Sequence, residues 1–174
     1  MGEIVQRLGR QEPTAIIIST ESVDTLGPQA VELYQTSGRT AMKWQADQLG
    51  YILARNADGL WSHAKYGYAV PRRNGKNEIV VAREFFGIVE LGERVCHTAH
   101  KTTTSHAAWE RLRKLMISAG WTELGRKKKD EVPPAKSFRT SKQYGLETIT
   151  IDGGGEIVFR TRTNDGGLGE GFDL

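Results

Sequence analysis

Cysteine is all but missing from this sequence: Cys96 stands alone, so no intrachain disulfide can form and the fold must rest on a hydrophobic core. No apolar run approaches the roughly 18 residues that a membrane-spanning helix requires. The start Met1-Gly2-Glu3-Ile4-Val5 has neither the basic opening nor the apolar middle of a secretion signal, so the expected compartment is cytoplasmic, with no membrane partner. No internal repeat is present, and no low-complexity tract apart from a glycine-rich stretch over Asn164 to Gly171. No Ser/His/Asp triad, CxxC pair or pair of catalytic carboxylates can be placed. A strong excess of one charge is lacking too: the net charge of +3 fits a polyanionic partner without requiring one.

What is present is the composition of a soluble globular protein, 38% apolar and 26% charged. At 174 residues the chain is one domain's worth, enough to bury most of a core without metal or disulfide. The run Ala15-Ile16-Ile17-Ile18 reads as a short buried strand. Ala30, Val31, Leu33 and Tyr34 give an apolar face to a helix over about Gly27 to Thr36. Thr40 reads as the N-cap of a second helix carrying Trp44, Gln45, Leu49, Ile52 and Leu53, which the Asn56-Ala57-Asp58-Gly59 cluster ends. Leu60 to Val70 alternates loosely, as a strand pair would.

Next comes Pro71-Arg72-Arg73-Asn74-Gly75-Lys76-Asn77, between the strand-like Tyr66 to Val70 and a helix that opens at Glu78. A strand, a Gly-Lys turn and a helix together describe a phosphate-binding loop. Glycine lets backbone N–H groups turn toward phosphate oxygens, the helix N-terminus adds a partial positive charge, and Lys76 adds a full one. The pattern departs from G-x-x-x-x-G-K-[ST] at both ends, with Val70 for the first glycine and Asn77 for the hydroxyl that binds magnesium. The helix beyond is apolar almost all round, with Ile79, Val80, Val81, Ala82, Phe85, Phe86, Ile88 and Val89, which predicts burial.

A strand is expected at Arg94 to Thr98, then a Thr/Ser-capped helix with Ala108, Leu112, Leu115, Met116 and Ala119 on one face. Arg126 to Glu131 and Pro133-Pro134 form a polar connection. Glu147 to Ile151 and Glu156 to Thr161 flank Asp152-Gly153-Gly154-Gly155 as a glycine-turned hairpin. Strands alternating with long helices predict an α/β fold with a parallel sheet and right-handed crossovers.

Order along the chain adds a family. Trp44-Gln45, Val70 to Glu78, Thr98-Ala99-His100, Ile157-Val158-Phe159 and Gly169-Glu170-Gly171-Phe172-Asp173 together resemble the N-terminal part of bacteriophage terminase large subunits, over about Gly27 to Leu174. The resemblance implies a P-loop NTPase-like three-layer fold with a mainly parallel central sheet, incomplete at its C-terminal end. Residues 1–57 would form an N-terminal segment with an adenine-side glutamine, and residues 58–174 the P-loop core. The activity implied for the complete protein is ATP hydrolysis coupled to translocation of double-stranded DNA into a procapsid, in the host cytoplasm. Implied partners are the terminase small subunit, the portal protein, the remaining C-terminal part of the large subunit, and further copies in a ring.

Carried over residue by residue, the resemblance implies that Gln45 contacts adenine, since an amide offers one donor and one acceptor to the base edge. Gly75 and the N–H groups of Asn74 to Asn77 would cradle the phosphates of ATP beside Glu78, with Lys76 on the β and γ positions. Arg72 would stabilise charge on the transferring phosphoryl group, and Arg73 would face solvent, DNA or nucleotide. Asn77 would offer its side-chain carbonyl to magnesium, directly or through water.

Other features admit simpler readings. Cys96, His97, His100 and His106 crowd together, but Cys96 and His97 are adjacent on a strand and no four-ligand zinc set is completed. Thr98 to His106 is expected to end a strand and start a helix near a nucleotide crevice. Arg126 to Lys129 is either a solvated loop or a DNA-phosphate contact. In relatives, a strand bearing a magnesium aspartate and a water-activating glutamate follows the residues matching Gly171 to Leu174, and a nuclease domain follows that. Neither lies within these 174 residues. The expectation is a split or truncated product, or a remnant, that binds nucleotide weakly and hydrolyses it negligibly alone. Two rival readings are a nonenzymatic interaction module and a helicase segment; helicase loops, however, keep the first glycine and the Ser/Thr that this loop lacks.

Overall fold

The computed structural model describes residues 9–125, 132–143, 145–162 and 171–174. The sequence start Met1 to Val5, the Arg126 to Lys129 run and the glycine-rich stretch up to Glu170 therefore lie outside the described residues. The chain divides into two compact units. One takes the described residues up to Val31 together with Ala41–Ile79, and the other takes Glu32–Thr40 and the described residues from Val80.

In the first unit, β1 (Asp24–Thr25) pairs antiparallel with β2 (Ala54–Arg55). Asp24 and Arg55 form an ion pair across this ladder, and the guanidinium hydrogen bond holds the Asp24 carboxyl below its usual range. The Thr25 hydroxyl accepts the Gly27 N–H at 3.1 Å, opening α1 (Gly27–Gln35), and donates to the Gly50 carbonyl at 2.6 Å. Only glycine fits at position 27, because a Cβ there would lie 2.4 Å from the Gly50 Cα. Gly50 belongs to α2 (Lys43–Ile52), whose inner side buries Gln45 and Leu49.

Three local expectations change in this unit. The N-cap of α2 is Met42 rather than Thr40, and it caps through no side-chain bond of its own. Instead the Met42 N–H donates to the Gln45 side chain at 2.8 Å, the reach-back half of a capping box. Ala15 to Ile18 form no strand and are exposed, Ile17 almost completely at 97%. A β-prone run becomes a strand only where a neighbour takes up its hydrogen bonds, and this one pairs with no strand among the described residues. Between Leu60 and Val70, likewise, the single ladder contact among the described residues is a bridge from Trp61 to Arg55. Tyr66 and Tyr68 spend their hydroxyls on Gln48 and on the Lys76 carbonyl, so side chains anchor this segment where a strand pair was expected.

The second unit holds a five-stranded sheet in the order β3-β7-β6-β5-β4. The strands are β3 (Arg94–Ala99), β4 (Thr122–Leu124), β5 (Ser137–Ser141), β6 (Thr148–Thr150) and β7 (Glu156–Thr161). β3 runs parallel to β7 with Val95 opposite Ile157, and β4 runs parallel to β5. β5–β6 and β6–β7 are antiparallel, with Thr150 opposite Glu156. The protein is thus α/β, but its sheet is mixed, which corrects the mainly parallel sheet expected from the sequence. Connection length is the reason: a parallel crossover needs about a dozen residues or more. The stretch from Ile151 to Gly155 is long enough only for a turn, closed by the Ile151 N–H on the Gly155 carbonyl at 2.9 Å.

α4 (Thr102–Ser118) packs on this sheet through Trp109, Leu112, Leu115 and Met116, all buried at helical spacing. The Trp109 indole N–H donates to the Thr148 carbonyl at 3.2 Å. The N-cap of α4 is Lys101, which makes no capping side-chain bond, in place of the expected Thr or Ser. α3 (Lys76–Glu90) is as enclosed as its composition predicts, with every residue from Val81 to Ile88 buried. Two of those are charged. Arg83 pairs with the buried Glu93 through two hydrogen bonds of 2.6 and 2.8 Å, while Glu84 meets His97 Nδ1 at 2.5 Å. Burying such charges is tolerable only because each is paired at close range. Along the outer edge of β3, the Asp173 N–H donates to the Arg94 carbonyl and the Cys96 N–H to the Leu174 carbonyl, both at 2.8 Å. No helix among the described residues is long and apolar enough to cross a membrane.

Candidate functional site

The Pro71–Asn77 loop lies in the first unit and leads into α3, which opens at Lys76. Its backbone alternates in the sign of φ: Arg73 is at +66° and Gly75 at +77°, while Asn74 between them stays negative. Alternation of this kind is the pattern by which successive peptide N–H groups turn toward one side as a concave anion cradle. Arg73 achieves it at a cost, since a residue with a Cβ occupies the left-handed region only under constraint. The turn is closed by the Glu78 N–H on the Gly75 carbonyl at 3.0 Å and by a long contact of 3.5 Å from Asn74 Nδ2 to the Pro71 carbonyl.

Two side chains hold the loop from behind. Gln45, only 5% exposed, donates Nε2–H to the Gly75 carbonyl at 3.0 Å. Its Oε1 accepts the Met42 N–H, so the network itself fixes which end of the amide is which. The Tyr68 hydroxyl donates to the Lys76 carbonyl at 2.9 Å. Tyr66 does the same service one step away, donating to Gln48 Oε1 at 3.0 Å, and burial pushes its phenol pKa up, so it remains a donor. Nothing in the sequence pattern singled out the tyrosines; a Tyr-x-Tyr spacing reads equally well as one face of a strand.

The cations face outward. Arg72, Arg73 and Lys76 are exposed, and none of their side chains makes a hydrogen bond or ion pair among the described residues. Three positive side chains without partners among the described residues, on a loop whose backbone alternates in this way, suit a multiply charged anion such as a polyphosphate. The structure thus brings together Gln45, Arg72, Arg73, Asn74, Gly75, Lys76, Asn77 and Glu78 in one unit, and it places the Gln45 amide on the loop's own backbone.

The donor set suits phosphate oxygens better than it suits magnesium. Magnesium asks for hard, preferably anionic oxygens in octahedral array. At the loop the neutral amide of the exposed Asn77 stands where the hydroxyl would be, and no group of three His, Cys, Asp or Glu among the described residues could hold a metal ion. A magnesium ion at the loop would thus depend on Asn77, water and the phosphate oxygens themselves. At Cys96 to His106, likewise, no such group of ligands gathers among the described residues. His97 Nδ1 is taken up by Glu84, and His106 Nδ1 by the fully buried Glu147 at 2.9 Å, with the imidazole stacked on Trp109. Thr98 to His106 does span the end of β3 and the start of α4, as the sequence predicts. No protein-family model, no curated protein and no solved structure matches the chain.

Proposed function

We propose that the Pro71–Asn77 loop binds the polyphosphate of ATP, and that the chain is the ATPase segment of a terminase-type phage DNA-packaging motor. The observation that carries the reading is the sign-alternating backbone at Arg73 and Gly75 on a loop with three exposed cationic side chains, which have no partners among the described residues. Lys76 then serves the β- and γ-phosphates, Arg72 the charge on the transferring phosphoryl group, and Arg73 the remaining phosphate oxygens. In the complete motor, acting as a ring with portal protein, small subunit and double-stranded DNA, nucleotide turnover drives translocation.

A second reading, a nonenzymatic anion-binding module, is favoured by Asn77, whose amide is a poor substitute for a magnesium-binding hydroxyl. Calorimetric titration of the 174-residue chain with ATP, at low salt and with Lys76→Ala alongside, tests the common core of both readings. Binding that weakens tenfold or more in Lys76→Ala, and weakens as salt is raised, is the expected result. Equal affinity in the two proteins would remove the loop from consideration. Turnover of ATP, stimulated by double-stranded DNA once the remaining large-subunit part is supplied, separates motor from module.

A further inference from the structure

Taking the loop as a polyphosphate site, we infer that Gln45 is a positioning residue that latches the loop to the start of α2, and not a reader of the adenine ring. The side chain is 5% exposed and both ends of its amide are engaged inside the protein. Reading an adenine edge takes a donor and an acceptor presented together. Turning the amide to do so would strip the Met42 N–H, one of the orphan donors at a helix start, and the Gly75 carbonyl of their partner.

The latch has a direct effect on the cradle. In a trans peptide the carbonyl of one residue and the N–H of the next point in opposite directions, and no cis peptide occurs among the described residues. Fixing the Gly75 carbonyl with Gln45 and Glu78 therefore fixes the Lys76 N–H on the other side of the same plane. Tyr68 does the same to the next plane: its hold on the Lys76 carbonyl sets the direction of the Asn77 N–H. Two consecutive N–H groups of the anion cradle are thus aimed by side chains outside the loop. Such preorganisation raises anion affinity because the donors need not be ordered on binding.

The two roles of Gln45 differ in what they predict for a ligand without a base. Inorganic tripolyphosphate and ATP are titrated into the 174-residue chain carrying Gln45→Met, or the shorter amide Gln45→Asn. Affinity for both ligands falls by the same factor, about tenfold for the loss of one buried positioning bond, and their ratio is unchanged. The amide signals of Lys76 and Asn77 shift in the ¹⁵N spectrum of the ligand-free variants. Gly59→Ala, which strains a turn elsewhere in the same unit, leaves tripolyphosphate affinity as it was. A fall for ATP with tripolyphosphate unaffected would overturn the inference in favour of an adenine contact. An equal fall in Gly59→Ala would overturn it in favour of general loosening. A parent chain that binds neither ligand would instead defeat the polyphosphate reading itself.

Discussion

Gly75→Ala is the substitution whose cost can be worked out most fully, because a matched control lies in the same unit. Gly75 and Gly59 have nearly the same backbone, with φ of +77° and +78°. An alanine at either position pays left-handed strain of about 1–2 kcal/mol. Stiffening of the unfolded chain by alanine acts at both sites and cancels in the comparison. Their surroundings differ. A Cβ at Gly59 meets nothing within 4 Å, whereas a Cβ at Gly75 would stand 2.8 Å from Gln45 Nε2. That is closer than a methyl group tolerates, so the amide must retreat and its bond to the Gly75 carbonyl is lost, at about 1 kcal/mol. Gly75→Ala should therefore cost about 2–3 kcal/mol in urea unfolding and Gly59→Ala about 1–2 kcal/mol. In a Gln45→Ala background the excess at Gly75 should vanish, since the clashing atom and the bond are both gone. Tripolyphosphate binding should be lost in Gly75→Ala and kept in Gly59→Ala. Equal costs at the two glycines, or an excess that survives Gln45→Ala, would refute the argument that Gln45 bears on the loop through this contact.

Two further expectations concern the second unit. Glu93→Ala leaves the Arg83 guanidinium without its two short bonds in a buried site, and should destabilise the protein by about 3–5 kcal/mol in the same unfolding assay. A loss under 1 kcal/mol would mean that water reaches Arg83. The Glu123 carboxyl is held below its ordinary value of 4.5, first by hydrogen bonding to Arg113, with Thr140 also donating. Because the folded-state value is depressed, the stabilisation is fully present above pH 4.5 and is lost as the pH falls through the folded value. Glu123→Gln should flatten the stability curve in that acid range, and an unchanged acid limb in thermal unfolding would show that another group governs it.

Helices were the legible part of this sequence. The all-round apolar pattern from Ile79 to Val89 predicts the enclosed α3, and the Leu112, Leu115 and Met116 spacing predicts the buried face of α4, because a 3.6-residue period survives in a single sequence. The hairpin at Asp152 to Gly155 is legible for a different reason, since glycine at positive φ is a local requirement, met at Gly153 with φ +77°. β4 and β5 were not legible. Thr122–Leu124 is three residues long, and Ser137–Ser141 reads Ser-Phe-Arg-Thr-Ser with one large apolar residue, so neither gives a period to detect. Strand identity there is conferred by the neighbours: Phe138 is buried, while Arg139 pairs with Asp152 at 2.9 Å. The isoleucine run at 16–18 errs in the other direction, having strand propensity without a pairing partner among the described residues. At the site, residue types and spacing picked out the cations and the glycine. What Gln45 and Tyr68 touch depends on contacts 30 and 8 positions away, which no local pattern encodes.

The way the loop is supported bears on how it can work. In the expected arrangement a strand fixed in a sheet delivers the loop, so the ladder sets its position and the side chains need only bind. Here the residues before Pro71 are held through the Tyr66 and Tyr68 hydroxyls, and the glycine through the Gln45 amide. Side-chain bonds of this kind contribute about 1 kcal/mol each, far less than a cooperative ladder, and each can break alone. A polyphosphate seated in the cradle would favour the conformation in which all of them are made. Conversely, anything that shifts α2 moves Gln45, and Gln45 moves the Gly75–Lys76 peptide. The linkage is reciprocal by thermodynamic necessity: if moving α2 weakens the anion site, binding the anion must restrain α2. Hydrogen exchange along Lys43–Ile52 should therefore slow on tripolyphosphate binding in the parent chain, and that slowing should disappear in Gln45→Met even at saturating ligand.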